Sequence, residues 1–161
     1  MTSRPQSRSQ SRAQSRSQSR SAARLAAVQA LYQLEMEGSA VAPLLHQFHQ
    51  HRLGATIEGA TYAEAEQSFF DDVVKGVDAR RGEIDALVSA NLASGWTLER
   101  LDRPMRAILR AGTYELIARP DVPKASVINE YVDVAKAFYD RKDSGFVNGL
   151  LDAVAKGARA A

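Results

Sequence analysis

The sequence predicts an all-α fold: a compact bundle of about seven helices behind a basic, low-complexity N-terminal tail. Three observations carry that expectation. Apolar residues recur at helical spacing along residues 21–161, no stretch alternates apolar and polar residues as a half-buried strand would, and residues 1–20 are almost wholly Ser, Gln and Arg. With the tail set aside, about 140 residues remain, enough to enclose one hydrophobic core. Residues 21–161 are therefore expected to form a single domain.

The elements follow in chain order. The tail places arginine at every fourth position, Arg4, Arg8, Arg12, Arg16, Arg20 and Arg24, with no acidic residue before Glu35. A segment so poor in apolar groups cannot offset the entropy of ordering itself, so residues 1–20 are expected to be disordered when free. If a partner made the tail helical, the four-residue spacing would set the arginines along a slowly drifting stripe. From Ser21 the run RLAAVQALYQLEMEG reads as helix, with Leu25, Val28, Tyr32 and Met36 along one face and Gly38 as terminator. Arg20 and Arg24 lie to one side of that face. Residues 38–61 are less regular, with Pro43, Gly54 and Gly59 and a short helix expected around LLHQFHQH.

Helical spacing returns at Phe69, Phe70, Val73, Val74 and Val77, then at Ile84, Leu87, Val88 and Leu92, with Gly82 between the two sets. Thr97 is a plausible N-cap for LERLDRPMRAILRAGTYELIA, within which Pro104 restarts the helix. After the break RPDVPK come SVINEYVDVAKAFY, with Ile128, Tyr131, Ala135 and Phe138 in register, and SGFVNGLLDAVAKGA, with Val147, Leu150, Leu151 and Val154.

Charge narrows the partners. The net charge is +2, but residues 1–20 hold five arginines and no carboxylate, which leaves 16 basic against 19 acidic side chains, or −3, over residues 21–161. Clustered arginines beside a near-neutral body point to a polyanion, either nucleic acid or an acidic membrane face. No apolar run reaches the ~18 residues of a membrane span, and no apolar segment follows the tail's charges as in a secretory signal, so a cytoplasmic location is expected. The absence of cysteine removes disulfides, thiolate nucleophiles and cysteine metal sites.

Catalysis finds little support. No G-x-S-x-G, phosphate-binding loop or G-x-G-x-x-G is present. Asp71 and Asp72 are adjacent, so on a helix they point about 100° apart and do not form an acid and base pair. His46, His49 and His51 cluster, but no carboxylate stands nearby in sequence to complete a metal shell, so neither metal nor cofactor is expected.

Phe146 carries more information. The stripe of Val147, Leu150, Leu151 and Val154 leaves Phe146 projecting about 90° from its centre, in what the spacing reads as a first helical turn capped by Asp143 or Ser144. Lys142 adds a cation beside it and Asn148 an amide. Either Phe146 closes the end of the core, or it joins that cation and amide as a platform for an unpaired base and its phosphate.

The runs VPKASVINEYVDVAKAFYDRKDSGFVNGLLDAVAK, RLAAVQALYQLE and RPMRAILRAGTYELIARPDVP resemble the NusB family of transcription antitermination proteins, most specifically in the INE around Asn129 and in FVNGLLD from Phe146. The resemblance implies two small helical bundles and a non-enzymatic function. It implies binding of boxA-type single-stranded RNA from ribosomal operon leaders, together with NusE, a small-subunit ribosomal protein, within an RNA polymerase antitermination complex. It assigns the RNA surface to Arg20, Arg24, Lys142 and Phe146, to which the residue reading adds Asn148, and makes Tyr32 a surface tyrosine near the RNA and partner faces. Arg4, Arg8, Arg12 and Arg16 precede the usual family start and are expected to add charge attraction only. The resemblance carries nothing over to residues 38–61, and dimerisation of the free protein stays open. Two other readings stand beside it: the RNA-binding front of an RNA cytosine methyltransferase, present as a fragment, and a helical adaptor whose tail binds nucleic acid or membrane nonspecifically.

Overall fold

In a computed structural model of the protein, residues 5–51 and 60–159 are described, with side chains over 19–50 and 67–159. Among these residues there are seven α-helices and no strand: α1 Pro5–Glu37, α2 Val41–His51, α3 Ala60–Ala79, α4 Arg81–Ala90, α5 Arg103–Ala118, α6 Lys124–Phe138 and α7 Arg141–Ala158, with a 3-10 turn at Leu98–Arg100. Helices α1, α2 and α3 pack on one another, while α4, α6 and α7 surround α5. Helix α5 also touches α1 and α3 and so joins the two groups. Its residues Met105 and Ala107 to Leu116 are all buried, which makes it the axis of the molecule.

The apolar stripes of the middle of the chain lie where their spacing puts them. Phe69, Phe70, Val73, Val74 and Val77 are buried on α3, and Ile84 and Val88 on α4. Helices α3 and α5 approach so closely that a Cβ at Gly76 would collide with the Tyr114 ring. Beside that contact the Tyr114 hydroxyl donates to Asp72 at 2.7 Å, and burial pushes its pKa up to about 12. Gly38 ends α1 at a φ of +65°, in the left-handed region that glycine enters without steric cost, and its N–H donates to the Leu34 carbonyl.

Several expectations shift. The core face of α1 is Ala23, Ala27, Val28, Ala30 and Leu31, whereas Tyr32 and Met36, expected in the apolar stripe, are exposed. Alanines let α1 lie close to its neighbours, so the buried face follows small residues rather than large ones. Phe138 is likewise exposed at the end of α6, and Tyr139 turns inward instead to donate to Asp102. Thr97 makes no side-chain cap; Asp102 caps α5 by accepting from the Met105 N–H at 3.1 Å, with Pro104 in the first turn. Helix α1 starts at Pro5, so its backbone includes the period-four segment. Its Arg and Gln are fair helix formers and Pro5 is tolerated at a helix start. Arg4 lies outside the described residues, as do the side chains of Arg8, Arg12 and Arg16.

Candidate nucleic-acid interface

The two arginines at the packed start of α1 are separated by their environments. Arg20 is exposed, and among the described residues no carboxylate lies within ion-pair distance of it. Arg24 is only 3% exposed. Its Nε and Nη2 donate to both oxygens of Glu115 at 2.9 and 3.0 Å, and Nη1 lies 3.6 Å from Glu130. Burial opposes the Arg24 charge, but the bonds to Glu115 outweigh it and hold the pKa above its ordinary value. The Tyr131 hydroxyl donates to the same carboxylate, and burial raises the Tyr131 pKa well above its usual range. Ser21 donates to Glu130 at 2.7 Å and so ties α1 to α6. Expected as a pair of surface cations, Arg20 and Arg24 thus divide into an exposed charge and an interior strut.

Lys142, Phe146 and Asn148 all stand exposed on the first two turns of α7. Phe146 is 38% exposed, so part of its ring faces solvent beside the buried stripe. The turn itself is built differently from the spacing's expectation. Asp140, not Asp143 or Ser144, caps α7, accepting from the N–H groups of Lys142 and Asp143 at 3.1 and 3.3 Å. The helix therefore starts at Arg141 and places Phe146 in the second turn, while Ser144 is buried and donates to the Arg141 carbonyl. With a carboxylate already on the helix N-terminus, the cations there are those of Arg141 and Lys142 rather than the helix dipole. Helix α6 packs on both α1 and α7. From Glu130, bonded to Ser21, to the end of α6 is about 12 Å along the axis.

Tyr32 lies elsewhere on α1, at an open groove of about 500 Å³ lined by Tyr32, Gln33, Met36, Phe48, Pro104 and Phe138. Three of the five large exposed hydrophobic side chains among the described residues, Tyr32, Met36 and Phe138, meet at this groove. His49 Nε2 lies 2.5 Å from Asp71, the His51 side chain lies outside the described residues, and among the described residues no group of three or more His, Asp or Glu is placed to hold a metal ion. Asp72 faces a different neighbourhood from Asp71, pairing with Tyr114 and Arg119. No helix among the described residues is long and apolar enough to cross a membrane.

Sequence reasoning missed Glu115, Glu130 and Phe69. The first two are partners of α1 from distant parts of the chain, and the third reads from spacing as core alone.

A family model described as the NusB family matches residues 21–156. The transcription antitermination protein NusB of Sphingopyxis alaskensis is 70% identical over 132 residues, 82% of this chain and 89% of that protein. The corresponding Caulobacter vibrioides protein is 51% identical over the same shares. Among solved structures, NusB of T. maritima superposes with a TM-score of 0.72 at 30% identity, covering 85% of this chain and 90% of its own. A crystal structure of antitermination factors NusB and NusE in complex with double-stranded RNA gives 0.72 at 26% identity, covering 87% and 98%. The chain belongs to the NusB family, and so stands with transcription antitermination proteins rather than with enzymes.

Proposed function

We propose that this chain is a transcription antitermination factor that binds boxA-type single-stranded RNA of ribosomal operon leaders jointly with NusE, helping RNA polymerase in the cytoplasm to pass terminators. Residues 21–161 form the binding domain and residues 1–20 an appended basic tail. The observation that carries this reading is the exposed Phe146 with Lys142 one turn before it on the same side of a helix whose other face is buried core. Such a pair offers a base a stacking face and its phosphate a cation, while the Asn148 amide stands on the opposite flank of α7 and would meet a different part of the RNA. Arg20 supplies a second cation, while Arg24 contributes from inside by holding the start of α1 in place.

The groove of Tyr32, Met36 and Phe138 supports a protein partner on a separate face, because aromatic and methionine side chains gathered around a concave surface are typical interface anchors. NusE is the partner proposed there. With RNA and NusE on different faces, the assembled pair reads more RNA than either protein alone, and the second contact becomes intramolecular. The test is a titration of boxA RNA and a scrambled RNA of equal length at physiological salt, with and without NusE. The boxA sequence is expected to bind more tightly, and NusE to widen the gap. Equal affinities under both conditions overturn the reading.

A further inference from the structure

Phe69 lies where two cations of α1 and one from the end of α5 converge. Its ring, 3% exposed on α3, has the guanidinium carbon of Arg20 at 4.5 Å from its centroid, that of Arg24 at 4.9 Å and that of Arg119 at 5.1 Å. The three cations differ in what else holds them. Arg24 is clamped by Glu115. Arg119 donates twice to Asp121 and once to Asp72. Both keep those anchors if the ring is removed. Arg20 is exposed, has no carboxylate within ion-pair distance among the described residues, and is seated on the ring.

This difference matters for a ligand. A mobile arginine loses rotamer freedom when it docks on a phosphate, and that loss subtracts from affinity; an arginine already seated on an aromatic face has lost it during folding. Burial, then the neighbouring Arg119 and Arg24 charges, lower the Arg20 pKa, as befits a cation held beside other cations. Such a group gains from an approaching anion.

We propose that Phe69 is a positioning residue of the RNA face, holding the Arg20 guanidinium against α3 so that it meets an RNA phosphate already oriented. The inference rests on the proposed RNA contact of Arg20, and a double-mutant cycle separates the two. Wild type, Arg20→Ala, Phe69→Leu and the double variant are titrated as full-length protein with NusE and boxA RNA across a salt series. Phe69→Leu is expected to weaken binding about two- to fivefold, the worth of an exposed cation–π contact, and to leave the salt slope unchanged because every charge is kept. Arg20→Ala is expected to weaken binding and to flatten the slope by about 0.7, one phosphate contact on a single strand. In the Arg20→Ala background, Phe69→Leu should cost nothing more.

A purely structural phenylalanine behaves otherwise: its loss lowers the melting temperature and reduces binding by the same factor in both backgrounds. Equal factors, or no effect of Phe69→Leu on the wild type, overturn the positioning role while leaving the RNA reading of Arg20 intact. An Arg20→Ala variant that binds boxA as the wild type does removes the RNA reading of Arg20 itself. If Phe69→Leu melts below the titration temperature, Phe69→Met, which keeps most of the bulk without the ring, carries the same comparison.

Discussion

Arg20 and Arg24 stand one helical turn apart, yet only Arg20 has a charge to offer a ligand. The Arg24 guanidinium is enclosed with Glu115 between α1, α5 and α6, and Tyr131 completes the carboxylate's bonds. A fully bonded buried pair of this kind adds little net stability over a well-packed apolar substitute, but removing one partner strands the other as an uncompensated charge. Arg24→Ala is therefore expected to destabilise the fold by about 3 to 5 kcal/mol, measured by urea unfolding followed by circular dichroism. RNA affinity of the folded fraction should fall only modestly, through loosening of Ser21 and Arg20. A variant of unchanged stability that loses RNA binding would return Arg24 to the RNA surface. Local spacing could not distinguish the two arginines, because Glu115 lies 91 positions away and only the folded chain brings it to α1.

At the scale of the helix, α7 joins a buried core stripe to the ring proposed to stack on RNA. Val147, Leu150, Leu151 and Val154 are buried, and Phe146 and Asn148 flank Val147 on exposed positions. Phe146→Ala should leave helical content and melting temperature nearly unchanged while weakening boxA binding by about 1 to 3 kcal/mol, the value of one base stack. A collapse of the melting temperature with normal binding by the surviving folded protein would instead make Phe146 part of the core. The buried stripe of α7, like those of α3 and α4, was legible in the sequence because large apolar side chains repeat at helical spacing. The core face of α1 was not, because Ala23, Ala27 and Ala30 carry its packing and size-weighted spacing favoured Tyr32 and Met36. The caps were misplaced for a related reason: Asp102 and Asp140 each lie a few residues from an equally plausible capping residue, and backbone conformation decides between them. In the candidate site, the aromatic and cation of α7 were readable from residue type, whereas the ring beneath Arg20 needed the packing of α3 on α1.

Over the whole molecule the charge is divided along the chain, with a basic start joined to a body of net −3. The helical backbone of α1 from Pro5 carries the successive positions Arg8, Arg12, Arg16 and Arg20 about 6 Å apart along the axis, each turned about 40° from the last. The family-matched part begins at residue 21, and Arg4, Arg8, Arg12 and Arg16 before it are proposed to meet RNA phosphates through charge alone. Phosphate contacts of that kind raise affinity and carry no direct base information. Deleting residues 1–18 takes out four arginines and no acid, and moves the net charge from +2 to −2. Affinity should then fall alike for boxA and scrambled RNA, and the salt dependence should flatten by about 0.7 in slope for each phosphate that is no longer neutralised. Discrimination between the two RNAs should persist, since base reading stays with groups on the folded domain. Replacing Arg20 with alanine in the shortened protein should weaken boxA binding further, because a seated cation loses little freedom on docking. Salt-series titrations of the full chain, the shortened chain and its Arg20→Ala variant decide between charge and recognition. A shortened protein that binds RNA strongly but no longer prefers boxA would place sequence reading in the repetitive tail, and with it the origin of specificity outside the packed domain.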